Sequence, residues 1–357
     1  MGIYFVGGEI WCGPSKYARS IRIDNGKISE INLSAHDGDQ IIDLHGGFLA
    51  PAFMDGHAHP LFAGREAQGP LLNKLQSVAE MVAEVKKFAE ANPQTPWIIG
   101  GAYEAAVIER GDFLALWLDE VVSDRPVVLQ AVDHHTIWVN SKALEIAGIT
   151  NETADPYGGT IARNNDGSPR GTLREPLAMD LIMRHAPMRT IEQDVAAIKW
   201  ASDRYLAAGV TAATDAWIEP GMAEAYIAAE KSGALAIDIS LFFLAQPDSW
   251  RERIQYFSAL RSEIETLGDD SHLRAKTIKL IADGALSSGT AALLDPYHDD
   301  PTSTGLLIWS DAEIFEVAKT YDALGYQLHI HAIGDAAVRQ ALNTIDDDGV
   351  GAGAADL

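Results

Sequence analysis

The chain has 357 residues, 47% of them apolar, enough for one large barrel or two ordinary domains with a well-buried core. Acidic residues outnumber basic ones 51 to 27, a formal charge of −24 spread along the sequence, which a plain soluble surface explains and which argues against nucleic acid and anionic membranes as partners. The single cysteine, Cys12, has no intrachain disulfide partner and fits a reducing compartment, and no N-terminal basic stretch precedes an apolar run, so the expectation is a soluble cytoplasmic protein.

In chain order, Ile21 to Ile23 and Lys27 to Ile31 alternate apolar and polar residues around Asp24-Asn25-Gly26, which predicts a β-hairpin. Further short strands reach Ile41-Ile42-Asp43-Leu44, so residues 1–50 are expected to form a small β-domain. From Phe48 the pattern changes to strands alternating with helices, the mark of a parallel sheet with helical crossovers. Phe48 to His59 is predicted as one buried strand with a polar end.

A long insertion, about 61–190, follows, with strands at Trp97-Ile98-Ile99 and Pro126 to Ala131 and a hairpin from Gly159–Arg163 to Gly171–Leu173. An insertion at the carboxyl end of a barrel strand is placed to shape a substrate pocket. Helical spacing then covers Ile191 to Ala208, stopping at Gly209, before the strand Val210 to Asp215. The remaining units are a helix from Met222 to Lys231 with strand Ala236 to Leu244, a helix from Ser249 to Leu267 with strand Ala275 to Asp283, and a helix from Asp311 to Leu324 with strand Tyr326 to Ile333. This makes about five βα units, and the fold class expected is an incomplete TIM-like (β/α)8 barrel over residues 51–342. Residues 343–357 are dominated by Asp, Gly and Ala and are expected to be a disordered tail.

Chemistry concentrates where these strands end. Residues two apart on a strand face one side, so His57 and His59 in Asp55-Gly56-His57-Ala58-His59-Pro60 point to one place and suit a divalent metal, with Asp55 able to orient a ring. Exposed loop histidines are the plainer account of an isolated His-x-His. Polar residues recur at later strand ends: Asp215, then Lys279 followed by Asp283, then His329 and His331. A lysine within the apolar run Thr277-Ile278-Lys279-Leu280-Ile281 is costly unless neutralised or used. Position alone leaves two accounts equal: carboxylation by carbon dioxide to a metal-bridging carbamate, or a side chain reaching the rim or pairing with Asp283. In the insertion, His134 and His135 either touch substrate or are exposed, and Glu175 is read as a pocket carboxylate. No Gly-x-Ser-x-Gly pattern supports a metal-free nucleophile.

Several separated motifs together carry a family resemblance. They are Asp55 to Pro60; His135 with Trp138-Val139-Asn140-Ser141-Lys142-Ala143-Leu144; Asp155-Pro156 with Gly158-Gly159; Ile278-Lys279 with Ala282-Asp283-Gly284; Pro296-Tyr297; and His331-Ala332-Ile333-Gly334-Asp335. The sequence resembles the YtcJ-like branch of the amidohydrolase superfamily, amidohydrolase family 3, which includes an N-substituted formamide deformylase. The resemblance implies metal ligands at His57, His59, Lys279 and His331, with Glu175 as a rival bridging carboxylate, and substrate contacts at His135, Glu175 and Asp283. It implies one or two divalent ions, zinc by default, with Lys279 carboxylated, acting on a C–N bond of a small molecule through metal-activated water. A homo-oligomer is compatible with it. Family members continue to a histidine on strand six and a proton-shuttling aspartate on strand eight, and neither follows His331 here. The expectation is therefore a C-terminally truncated chain with no catalytic aspartate, which leaves an inactive or partner-dependent fragment as the alternative.

Overall fold

The computed structural model describes residues 2–156, 159–286, 289–298 and 300–346. It divides into two compact units, Met1–Met54 with Gly209–Thr211, and Asp55–Ala208 with Ala212–Leu357. In the first unit, β1 (Ile3–Gly13), β2 (Lys16–Asp24), β3 (Lys27–Ile31) and β4 (Gln40–Asp43) lie in the order β3-β2-β1-β4, and β5 (Phe48–Leu49) also pairs with β1. The predicted hairpin is β2–β3, antiparallel, with Asn25 and Gly26 both at positive φ, the backbone that a two-residue turn between twisted strands requires. Its core is small: Ile10, Ala18 and Ile21, with Phe5, Leu44 and Leu49 packed against them.

The predicted strand from Phe48 to His59 is two strands. β5 ends at Leu49, and β6 (Phe53–Ala58) starts beyond Pro51, whose ring nitrogen has no hydrogen to give a ladder. His59 is not in β6; it is the N-cap of helix α1 (Pro60–Glu66), with Pro60 at the first helical position, where a missing N–H costs nothing.

The insertion has a sheet of its own. Helix α2 (Val78–Ala91) leads to β7 (Ile98–Tyr103), α3 (Ala115–Asp119), β8 (Val127–Ala131), β9 (Thr136–Val139), α4 (Ser141–Ile146), β10 (Thr160–Arg163), β11 (Pro169–Arg174) and α5 (Pro176–Met183). The strand order is β10-β11-β9-β8-β7, with β7–β8 parallel and the other pairs antiparallel. Alternate residues feed opposite faces: Val127, Leu129 and Trp138 join one apolar cluster, and Val128, Ile137 and Val139 another. Burial on both faces explains why these strands read as unbroken apolar runs. Asn140, fully buried, holds the corner: its Oδ1 accepts from the Val127 and Ala143 amides, and its Nδ2 donates to the Val122 and Arg125 carbonyls. That bonding accounts for an asparagine between β9 and α4.

The remaining chain supplies α6 (Ile191–Ala207), β12 (Val210–Ile218), α7 (Met222–Ser232), β13 (Asp238–Leu244), α8 (Trp250–Glu265), β14 (Leu273–Ile281), α9 (Asp311–Ala323), β15 (Gln327–His331) and α10 (Asp335–Asp346). The sheet order is β15-β14-β13-β12-β6, with the pairs from β12 to β15 parallel. Helix starts follow the sequence signals, with reciprocal capping boxes at Thr190–Gln193 and Ser310–Glu313. The core lies between this sheet and its helices, where Tyr226, Phe243, Phe257, Ile278, Leu280 and Tyr321 are buried and Phe243 stacks flat on Phe257 at 4.8 Å. Asn343 to Asp346 continue α10, and the rest of the expected tail lies outside the described residues. Among the described residues no helix is long and apolar enough to cross a membrane.

One ion cluster fastens α1, and with it His59, to α6. Asp194, 5% exposed, accepts two hydrogen bonds from Arg65, at 3.0 and 2.6 Å, and one from Arg189 at 2.6 Å. Burial pushes its carboxyl up, but the two arginines outweigh this and hold it below the ordinary aspartate range. The stabilisation is therefore complete above the unfolded pKa and is lost as pH falls through the lower folded one. Asp194→Ala is expected to cost about 3 kcal/mol at pH 7, since it leaves two arginines without their carboxylate. Urea unfolding at pH 7 and below pH 4 checks this: the difference between variant and wild type must shrink in acid.

Candidate active site

The carboxyl ends of β6, β12, β14 and β15 bring together most of the residues singled out by the sequence. The rings of His57 and His59 lie 5.6 Å apart, and His57 lies 5.0 Å from His329. Lys279 stands directly opposite His329 in the β14–β15 ladder. It is 2% exposed, and among the described residues it makes no ion pair or hydrogen bond through its side chain. The pairing with Asp283 considered above does not occur, because the Asp283 carboxylate is occupied by backbone amides: Oδ2 accepts from Ala292 at 2.9 Å and Gly334 at 2.8 Å, and Oδ1 from Ile333 at 2.9 Å. Asp283 is fully buried and ties the loop after β14 to the loop after β15.

Burial sets the electrostatics. It pushes the Lys279 amine down to about 8. It also lowers His329 to about 4, with the Lys279 charge and then His57 and His331 adding to the effect. His57 is lowered by burial first, then by Lys279, His59 and His331. The His57 and His329 imidazoles are thus kept neutral, with lone pairs available for ligation.

His59 approaches Asp215, its Nδ1 3.6 Å from Oδ1, and among the described residues this buried nitrogen has no hydrogen-bond partner. Asp215 is fully buried within β12, which runs on to Ile218 beyond the predicted end, and accepts a 2.7 Å bond from Tyr226 of α7. The tyrosine partner was not foreseen, because Tyr226 reads as an ordinary apolar position on α7. Asp55 accepts from the His57 amide at 3.2 Å and from Tyr205 of α6 at 3.1 Å. His331, by contrast, turns its Nε2 to the Gly284 carbonyl at 3.1 Å, with Asp283 at 3.8 Å. Of the two β15 histidines, the structure sets His329, not His331, beside His57. Gly334, in the same motif, has no room for a side chain, since a Cβ there would lie 1.9 Å from the Ala292 carbonyl oxygen.

The insertion contributes the loop Asp133-His134-His135. His134 stands at positive φ, 6.4 Å from the Phe62 ring, and burial lowers its pKa. The His135 Nδ1 lies 3.0 Å from Oε2 of Glu175. This pair lines a cavity of about 460 Å³ together with Arg110, Asp133, Arg174 and Thr290. Glu175 is thus paired with His135.

The residues suit a divalent metal in kind: neutral imidazoles, a buried amine without a counter-ion, and a partnerless buried nitrogen on His59. Among the described residues no three His, Cys, Asp or Glu side chains are arranged as a ready metal site.

Comparison with known proteins places this arrangement. The model of an amidohydrolase family matches residues 40–356, and the chain belongs to that family. It is 30% identical over 324 residues to the putative amidohydrolase YtcJ of Bacillus subtilis, covering 85% of this chain and 56% of that protein. It is 26% identical over 352 residues to the N-substituted formamide deformylase of Arthrobacter pascens, covering 92% of this chain and 62% of that protein. The chain therefore spans little more than half the length of these relatives. A crystal structure of an uncharacterized metal-dependent hydrolase from Pyrococcus furiosus superposes with a TM-score of 0.71 at 25% identity, covering 97% of this chain and 70% of that one. The sheet of β6 and β12–β15 with its helices is thus the α/β fold of metal-dependent hydrolases.

Proposed function

We propose that this protein is a metal-dependent hydrolase that cleaves a C–N bond of a small amide or formamide, and that β6 and β12–β15 are the first five strands of a (β/α)8 barrel. The observation that carries the reading is the meeting of His57, His59, His329 and the unpaired buried Lys279 at the strand ends of a family member. His57 and His59 would hold the ion through imidazole nitrogens, joined by Lys279 and by His331 after its ring leaves the Gly284 carbonyl. Zinc is the ion that the nitrogen-rich donor set favours. Such an ion, when bound, would lower the pKa of water to about 7 and polarise a carbonyl.

The chain's own residues have definable tasks. A Lys279 amine held near pKa 8 exists partly as the free base at neutral pH, which lets it add carbon dioxide and release a proton, giving an anionic carbamate. Asp215, held by Tyr226, orients His59. Asp55, held by Tyr205, restrains the β6 end. His135 and Glu175 face the substrate from the insertion. Elemental analysis of the purified chain, with assays on a panel of N-substituted formamides, tests the reading. Near-stoichiometric zinc, iron or manganese is expected, with at least 10²-fold less retention and turnover in His57→Ala. A folded, metal-free wild type that stays metal-free on reconstitution, indistinguishable from His57→Ala, would refute it.

A further inference from the structure

A second cavity, of about 410 Å³, opens beside the strand-end histidines, and its walls include Trp217, Leu244, Ile281, Ile308, Trp309 and Asp248. Strand parity puts it on the face of the sheet that carries the histidines. Leu241 and Phe243 of β13, and Ile278 and Leu280 of β14, belong to the core shared with the helices. Phe242 and Leu244, and Lys279 and Ile281, therefore face the other way. Phe242 already meets the site, its ring 5.1 Å from that of His329. Leu244 and Ile281 stand two residues further along the same strands, toward their carboxyl ends, and Ile281 lies directly opposite His331 in the ladder.

Trp217 joins this cavity to the histidines. Its ring lies 6.4 Å from that of His59, edge to face at 85°. Its amide donates at 3.4 Å to Oδ1 of Asp215, the same oxygen that His59 Nδ1 approaches, and its indole N–H donates to Glu219 at 3.2 Å, which fixes the plane of the ring. The walls from β14 and from the segment before α9 are held as firmly: the Trp309 indole donates to the Ile281 carbonyl, and the Ile308 amide to the Ala282 carbonyl, each at 2.8 Å. The cavity is thus preformed. Its chemistry is one-sided, because among the described residues Asp248 is the one charged group lining it and no cation does. Ile308 remains 39% exposed at its rim, so apolar surface stays open to water where a bound molecule would cover it.

We infer that this cavity receives an uncharged aromatic or alkyl group of the substrate, with Trp217 and Ile308 determining which groups are accepted. The inference rests on the hydrolase reading for its reaction and adds the class of molecule: an amide or formamide with a bulky apolar substituent that bears no negative charge. The size agrees, since small-molecule sites span roughly 300–1,000 Å³ and are lined mainly by apolar and aromatic side chains. A carboxylate on the substituent would meet Asp248 with no cation to receive it, and would lose its hydration against Trp217 and Leu244.

Ligand-observed NMR on the full, metal-free chain tests the cavity without turnover, with cyclohexanol as an uncharged probe and cyclohexanecarboxylate as its anionic counterpart. Cyclohexanol is expected to bind about tenfold or more tightly than the carboxylate, which faces a like charge. Trp217→Ala and Ile308→Asp should each weaken cyclohexanol about tenfold or more, since even one methylene contact in an apolar pocket is worth that much. Ile308 lies on the exposed rim, so Ile308→Asp carries the test if Trp217→Ala unfolds. No binding by the wild type, or equal binding by the wild type and folded Ile308→Asp, overturns the inference. In turnover, kcat/KM should rise about 10²-fold from N-methylformamide to N-cyclohexylformamide, and this ratio should collapse in both variants. Turnover without that preference overturns the inference and leaves the hydrolase reading standing. Absence of turnover, with cyclohexanol binding that responds to the variants, sustains the apolar-group site and removes the hydrolase reading alone.

Discussion

Asp283→Ala is expected to lose about 3–5 kcal/mol of folding free energy, the largest cost of any single substitution considered for this chain. The fully buried carboxylate is the acceptor for the Ala292, Ile333 and Gly334 amides, and charge-assisted hydrogen bonds of this kind contribute about 1.5–3 kcal/mol each before the loops relax. Alanine leaves all three amides without an acceptor. Asp283→Asn keeps one acceptor oxygen and should fall between alanine and wild type. Urea unfolding with an unchanged m value measures both. A loss below about 1 kcal/mol for Asp283→Ala would mean the loops after β14 and β15 do not depend on this residue.

Lys279→Met should act in the opposite direction in metal-free protein, raising stability by roughly 3 kcal/mol at pH 7. Burial holds the amine near 8 against its ordinary 10.5, and each unit corresponds to about 1.36 kcal/mol. Because the folded pKa is below the unfolded one, the unfolded chain binds more protons between pH 8 and 10.5. Wild-type stability therefore rises with pH across that window and carries the full penalty below it. Methionine, unbranched and of similar length, removes the charge and the pH dependence together. With metal and bicarbonate supplied the ranking should reverse, because only the wild type can form the anionic ligand. A destabilised Lys279→Met in metal-free protein would contradict the view of Lys279 as an uncompensated buried amine.

The sequence was most informative where side-chain period and turn chemistry agree. The β2–β3 hairpin is visible in Asn25-Gly26, and α6 in its helical spacing and the stop at Gly209. Strand and helix borders were displaced by residues whose effect is on the backbone: Pro51 divides β5 from β6, and Pro60 draws His59 out of the strand into a helix cap. The grouping of His57, His59, Lys279 and His329 was foreseeable from parity along strands, since each lies at or near a carboxyl end. Which of His329 and His331 turns toward His57 was not, because it depends on the Gly284 carbonyl, a loop acceptor with no signature in sequence. The supports Tyr226 and Tyr205 were equally hidden, as each lies on a helix and meets its aspartate only after packing. Asp283 shows the reverse: the resemblance implied contact with substrate, whereas its buried carboxylate accepts from three backbone amides.

The order in which the chain can assemble follows from the place of the insertion. Among the described residues one helix lies in each connection from β12 to β15, so their pairings close shorter loops than that of β6 with β12, which spans the whole of α1 to α6. Such a closure would be slow if the intervening chain were slack, because loop entropy must be overcome before contacts form. The insertion has its own two-faced core around Trp138, and once folded it acts as a short rigid link. His57 of β6, and His59 just beyond it, thus reach the sheet by the longest-range pairing in it. A lesion in that core such as Trp138→Ala should delay their arrival during refolding more than it delays the β12–β15 sheet.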